Sequence, residues 1–207
     1  MSASDHLITT MEQLEALYGE KMPAAVVKEI DHINDSYRQL IEAAPFVAVA
    51  TSGPEGLDCS PKGDPRGFVR ILDQKTIAIP DRPGNNRIDG FRNIVRDPRI
   101  ALLFLIPGVG ETLRVNGRAA ISIDPELMQG FAVNGKLPRC VLIVHVDSVF
   151  FHCSKAIVRS KLWDAETKID RKSLPSTGTI IAELSKGKLG GEDYDRAMPE
   201  RIKAQLY

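Results

Sequence analysis

The sequence predicts a mainly β protein, an antiparallel barrel with helices at its flanks. Three observations carry this. About six to eight short β-rich runs fall between positions 46 and 153. Most neighbours are joined by tight Gly, Pro, Asn or Asp turns rather than by long crossovers. Only two helical patterns interrupt them, too few for an alternating βαβ array.

Residues 8–43 read as helical. Leu7, Met11, Leu14 and Leu17 recur at three and four, as do Val26, Ile30 and Ile33, with Gly19 and Pro23 separating the stretches. Tyr37, Leu40 and Ile41 extend the apolar face until Pro45 stops it. Phe46 to Thr51 is the first strand. The turn Ser52-Gly53-Pro54-Glu55-Gly56 leads to a second strand over Leu57 to Lys62. Phe68 to Leu72 and Thr76 to Ile79, flanking Asp73-Gln74-Lys75, form another hairpin. A helix opens at Asn85 or Asn86 and runs to Val95, burying Ile88, Phe91, Ile94 and Val95. Asp97-Pro98 ends it. Ile100 to Ile106 is nearly all apolar and reads as a central strand. Pro107-Gly108-Val109-Gly110 turns the chain into a strand over Thr112 to Ile123. Asp124-Pro125 starts a helix, cap then N1 proline, that runs to about Val133. Val141 to His145 and Ser148 to Cys153 are the last strands. Further on, Thr177 to Leu184 and Arg196 to Tyr207 are helix candidates, with a loop at Lys186 to Gly191. The organisation expected is a helical extension (1–43), a barrel (44–165) and an extension of the same unit (166–207).

Composition narrows the function. Lys plus Arg and Asp plus Glu are both 27 in 207 residues, so the formal net charge is zero. No global basic field exists to attract nucleic acid or an anionic membrane. No apolar run is long enough to span a bilayer. Met1 to Leu7 carries Asp5 and His6 and no apolar leader core. Cys59, Cys140 and Cys153 are odd in number and lack CxxC spacing, which suits a reducing compartment, and the expected location is the cytoplasm. Cys59 and Cys140 read as small buried hydrophobes. His145, within an apolar run, reads as a core or interface histidine. His152 and Cys153 are strand neighbours pointing to opposite faces, which argues against a nucleophilic pair. Trp163 reads as an anchor for the tail.

The chemistry concentrates at strand ends. Ser60-Pro61-Lys62-Gly63-Asp64 closes the second strand. Pro80-Asp81 precedes Gly84-Asn85-Asn86-Arg87, where a helix N-terminus with Arg87 in its first turn would cradle a phosphate. One of Asn85 and Asn86 serves as the cap. Together Lys62, Arg87 and the late Arg159 would rim one small β-fold suited to a phosphorylated ligand.

These segments, with Asp97-Pro98-Arg99-Ile100-Ala101-Leu102-Leu103-Phe104 and Gly117-Arg118-Ala119, resemble the pyridoxamine 5′-phosphate oxidase-like family of FMN-binding split β-barrels, in its predicted flavoenzyme branch. The resemblance covers about residues 44–165 and is most specific over Ser60 to Phe104. It implies a homodimer with FMN in clefts at the interface and a flavin-dependent oxidoreductase acting on a small-molecule substrate or electron donor. A non-catalytic flavin- or haem-binding module on the same fold is the alternative. By the resemblance Lys62 and Arg87 hold the FMN phosphate, with Asn85 and Asn86 beside them. Ser60 and Pro61 line the ring or ribityl chain, Asp81 sits next to it, and Arg159 reaches the ring edge from the partner. The chain departs from the family's true oxidases in having Asn85-Asn86-Arg87 where they carry Ser-Arg-Lys, and in lacking their Arg-Leu-x-x-x-Arg substrate motif.

Overall fold

A computed structural model describes residues 6–207. Most of the segment read for a leader, Met1 to Asp5, lies outside the described residues. The elements run α1 (Met11–Tyr18), α2 (Pro23–Val27), α3 (Asp35–Ala43), β1 (Phe46–Gly53), β2 (Gly56–Gly63), β3 (Arg70–Asp73), β4 (Thr76–Asp81), α4 (Asp89–Arg96), β5 (Arg99–Leu105), β6 (Thr112–Ser122), α5 (Pro125–Gly130), β7 (Cys140–His152), α6 (Lys155–Ser160), α7 (Thr177–Leu184) and α8 (Glu192–Gln205). Seven strands form one antiparallel sheet in the order β2-β1-β5-β6-β7-β4-β3. This is the antiparallel barrel the turn pattern predicts, in the split form the resemblance implies.

Strand alternation sets the core. Val47, Val49 and Thr51 of β1, Ile100, Leu102 and Phe104 of β5, and Leu113 and Val115 of β6 point inward and are buried. From α3, Tyr37 and Ile41 close one end. In β4 Ile77, Ala78, Ile79 and Pro80 are all buried, because both faces are covered. Ile77 and Ile79 join the main core, while Ala78 packs with Val141 and Phe131 beneath α5.

The final strand corrects the sequence reading. Val141 to His145 and Ser148 to Cys153 are not two strands but one, β7, paired with β6 over nearly its whole length. A bulge opposite Asn116 and Gly117 leaves Asp147 as the extra residue, which lets the long ribbon bend without breaking. His145 is exposed on the outer face, not in the core, and Cys59 is exposed as well. In both cases strand alternation turns the side chain to the outer face, for His145 against its apolar neighbours. The region 8–43 is three helices rather than two, because Ile30 leaves helical geometry to bridge Val149. Neither α1 nor α2 buries a residue within this chain.

Helix α4 also starts later than the sequence suggests. Asn85 accepts a hydrogen bond from the Arg87 N–H at 2.9 Å, closing a local turn, and Asn86 adopts the left-handed region at φ 63°. A left-handed residue cannot continue a right-handed helix, so α4 begins at Asp89, behind an Ile88 that offers no capping side chain. Arg87 therefore stands before the helix, not in its first turn. The helix is pinned by Asn93, whose buried amide donates to Thr51 Oγ1 and to the Gly56 carbonyl, both at 3.2 Å. Gly53 permits this approach, since a Cβ there would fall 2.3 Å from Asn93 Oδ1.

At the bulge, a Cβ on Gly117 would stand 2.1 Å from the His145 carbonyl oxygen, a backbone atom that cannot turn aside. Gly117→Ala is expected to lower stability by about 1–3 kcal/mol through overpacking, read as a lower urea midpoint. Gly84→Ala, with open space around its Cα, is the control and stays within about 0.5 kcal/mol of the parent protein.

Candidate functional site

The barrel is open where two strand ends face each other without backbone pairing. Strand β2 is a sheet edge, and β3 pairs only with the first half of β4. Pro61 in β2 and Pro80 in β4 are tolerated there, because an edge does not need every N–H. Side chains bridge the gap instead. The Lys62 ammonium pairs with Asp81, with only 20% and 15% of the side chains exposed. Arg82 Nε meets Asp64 Oδ2 at 2.7 Å, with Asp64 almost fully buried, and Arg82 Nη1 donates to the Phe131 carbonyl at 2.8 Å.

Between these strand ends and α4 lies a chamber of about 610 Å³. This is the size of a small-molecule or cofactor site. Ser60, Pro61, Lys62, Asp81, Asn85, Asn86 and Arg87 all line it. Seven of the eight residues singled out from sequence are thus brought together. Arg159 is not. It lies exposed on α6, beyond the far end of β7, and does not line the chamber.

The sequence reading missed several residues that the fold adds. Phe68, Ile88, Phe91 and Ile121 form the apolar wall, with the Lys62 ammonium 4.8 Å from the Phe91 ring centroid. Arg139 and Cys140 enter through the register of β7 on β4: Cys140 stands opposite Asp81, and the Arg139 N–H donates to the Asp81 carbonyl at 3.0 Å. The Arg139 guanidinium donates to Asn86 Oδ1. No local pattern marks Arg139, a lone arginine after a proline, and only strand register could have found it.

The charges divide into matched and unmatched. Lys62 is held by Asp81 and Arg82 by Asp64. Arg87 is highly exposed and leans on Asp89, its pKa raised by that carboxylate. Among the described residues Arg139 alone of the chamber's four cations has no carboxylate partner. Burial, and then the neighbouring Asp81 charge, push the Cys140 thiol up to about 11, with Lys62 pulling the other way. The chamber therefore favours an anion at the Arg139–Arg87 side and an apolar, flat group against Phe91 and Ile121. It contains no histidine, and its one carboxylate is tied to Lys62.

Elsewhere His152 accepts from Arg114 Nε at 3.1 Å, and burial, Arg114 and Lys28 lower its pKa, so it is neutral at physiological pH. Trp163 donates to the Val109 carbonyl at 2.7 Å and anchors the segment after α6. Among the described residues no group of His, Cys, Asp and Glu could hold a metal ion. No described helix is long and apolar enough to cross a membrane.

Two expectations follow from this geometry. Lys62→Met strands the Asp81 carboxylate and should cost about 1–3 kcal/mol in urea denaturation. The double variant Lys62→Met with Asp81→Leu should recover most of it, and single variants as stable as the parent would remove the pair from the account. For Cys140, the unfolded thiol ionises near 9 while the folded one stays protonated to about 11. Between those values the unfolded chain binds fewer protons, so stability present below pH 9 is lost as pH rises through this window. At pH 8 iodoacetamide should label the exposed Cys59 and Cys153 well before Cys140, by peptide mass mapping.

A family model described as pyridoxamine 5′-phosphate oxidase matches residues 33–153. Among solved structures, HupZ of Group A Streptococcus is 23% identical with a TM-score of 0.46, over 59% of this chain and 95% of that one. A protein of Clostridium acetobutylicum related to general stress protein 26, of the pyridoxinephosphate oxidase family, is 14% identical with a TM-score of 0.43, over 58% and 91%. An FMN-binding protein of Syntrophomonas wolfei is 13% identical with a TM-score of 0.41, over 55% and 86%. No curated protein matches the chain. With the match spanning more than half of its length and containing every residue of the chamber, the chain belongs to the pyridoxamine 5′-phosphate oxidase family.

Proposed function

We propose that the chamber binds FMN and that the protein is a flavin-dependent oxidoreductase working as a homodimer. The observation that carries this is the convergence of Arg87, Arg139 and Lys62 with the apolar wall of Phe91, Ile88 and Ile121 in one chamber of about 610 Å³. Arg139 and Arg87 hold the phosphate, since a charge-assisted guanidinium contact is strong and Arg139 has no competing carboxylate. The carboxamides of Asn85 and Asn86 orient that end of the chamber. Lys62 is a positioning residue: its charge is matched by Asp81, so it braces the mouth and gives little net attraction to a phosphate. Ser60 and Pro61 stand along the β2 side. Phe91 and Ile121 exclude water from a flat ring. Bound FMN would supply hydride chemistry, which the protein tunes by charge and hydrogen bonding.

The second subunit enters by what one chain leaves bare. Phe46, Leu57 and Leu103 are exposed large apolar residues on strands of the outer sheet face. Arg159, remote from its own chamber, is available to the chamber of a second copy. A second reading, a flavin-binding module without turnover, draws on the absence of a histidine and of an unpaired carboxylate from the lining.

The test is an FMN titration by flavin fluorescence, with mass measured by light scattering. The protein is expected to purify yellow and dimeric. Arg139→Ala should weaken FMN by about 1.5–3 kcal/mol, a ten- to hundredfold rise in Kd, with Arg87→Ala at or below the lower end because Arg87 is exposed. Unchanged affinity in both variants, or flavin retained by a monomer, sinks the respective half of the proposal. Photoreduction without oxygen, then mixing with candidate acceptors, separates an enzyme from a module.

A further inference from the structure

The chain ahead of α3 is made to pack, yet it packs on little of its own molecule. Helix α1 carries Met11, Leu14 and Tyr18 on one face at spacings of three and four, all exposed, and α2 adds Val26 and Val27. Neither helix buries a residue. Helix α1 is nonetheless a finished helix, with Thr10 and Gln13 forming a capping box at its start. At 8 residues it is too short to hold its form alone in water, where even about 12–15 residues are marginal. A capped helix of this length with an apolar face needs a surface to lie on.

The root of this arm fixes where it starts. The ladder between β4 and β7 stops at His145. Further along the same edge of β7, the Ile30 N–H donates to the Val149 carbonyl at 3.1 Å, and the Val149 N–H donates to the Ile30 carbonyl at 2.8 Å. Next to this bridge the Lys28 ammonium lies 5.7 Å from the Phe150 ring centroid. Phe150 stands on the outer face of the sheet, and strand register continues that face in one row through Arg114, Leu103, Ala48 and Pro61. The arm therefore leaves the barrel at the rim of the outer face on which Phe46, Leu57 and Leu103 are bare.

The charges of arm and face are complementary. Helix α1 carries Glu12 and Glu15 and no basic residue. Strands β1, β5 and β6 carry Arg99, Arg114 and Arg118 and no carboxylate. Arg118 meets Asp147 only loosely, at 3.8 Å. Arg114 has no carboxylate partner among the described residues: its guanidinium lies 4.7 Å from the Phe150 ring centroid and donates to the neutral His152.

We propose that the α1–α2 arm is exchanged between two copies of this chain, each arm laying its apolar face on the outer sheet face of the other copy, with Glu12 and Glu15 set toward that copy's Arg114 and Arg118. The inference rests on the homodimer reading above. A second copy against the outer face brings an identical rim within reach of the arm, and two-fold symmetry makes each chain both donor and receiver of an arm. The apolar residues that one chain leaves in water are then buried, and the arginines of the face gain carboxylates.

The test is sedimentation equilibrium of the full chain over a dilution series, with circular dichroism to check folding. Leu14→Glu combined with Tyr18→Glu puts charge on the arm's apolar face. The dimer dissociation constant is expected to rise about tenfold or more while the dissociated chain keeps the parent's spectrum. Leu184→Glu, at a position on α7 that is also exposed, is the control and leaves the constant unchanged. Glu12→Arg combined with Glu15→Arg should weaken the dimer by about three- to tenfold, and adding Arg114→Glu should recover part of the loss. If the apolar-face variant does not fold, the charge reversal and its recovery decide. A parent dimer whose dissociation constant is unmoved by the arm variants overturns the exchange and leaves the homodimer standing. A parent that is monomeric at every concentration removes both.

Discussion

Two ion pairs across an unpaired seam hold this molecule's function together. Lys62 with Asp81 and Arg82 with Asp64 connect β2 to β4, strands at distant places in the sheet order that share no backbone ladder. A closed barrel would have joined these strands by hydrogen bonds and left no room. Here the proline in each strand and the shortness of β3 keep the seam open, and charged side chains set its width. Such pairs contribute modestly to stability, because desolvation offsets much of their attraction. Their larger consequence is geometric. They fix a mouth into which the loop from Pro83 to Arg87 can fold, and they remove from the chamber the charges of Lys62 and Arg82.

That removal shapes what the chamber attracts. With Lys62 and Arg82 neutralised, the positive potential is left to Arg139 and Arg87. The apolar wall faces it from α4 and β6. An amphiphilic ligand with an anionic tail and a flat apolar head matches that division. Helix α4 keeps its place through Asn93, and its close approach to the β1–β2 hairpin needs the bare Cα of Gly53. Phe91, one wall of the chamber, stands on this same helix.

The lessons of the local sequence are uneven. Turn chemistry was a good guide: Ser52 to Gly56, Asp73 to Lys75 and Asp124-Pro125 stand at the loop, hairpin and helix start they predict. The cluster from Gly84 to Arg87 reaches the right place by the wrong geometry. Asn85 and Asn86 do not cap a helix, because Asn85 closes a turn on Arg87 and Asn86 goes left-handed. His145 and Cys59 lie exposed within runs of the strand pattern, because a strand turns alternate residues to opposite faces whatever their neighbours are.

From its residues alone the chain determined the hairpins, most of the strands, the family resemblance, and seven residues of the chamber. These are local matters, written in the spacing of apolar residues and the identity of turn residues. The tertiary structure decided the rest. It joined two strands into β7 through a bulge, and it brought Arg139 and Cys140 opposite Asp81 by register. It also matched Lys62 with Asp81 across the seam, and left Arg159 outside the chamber. Each of these depends on which distant strand lies alongside which, and that is settled by the packing of the whole core and not by any short run of sequence.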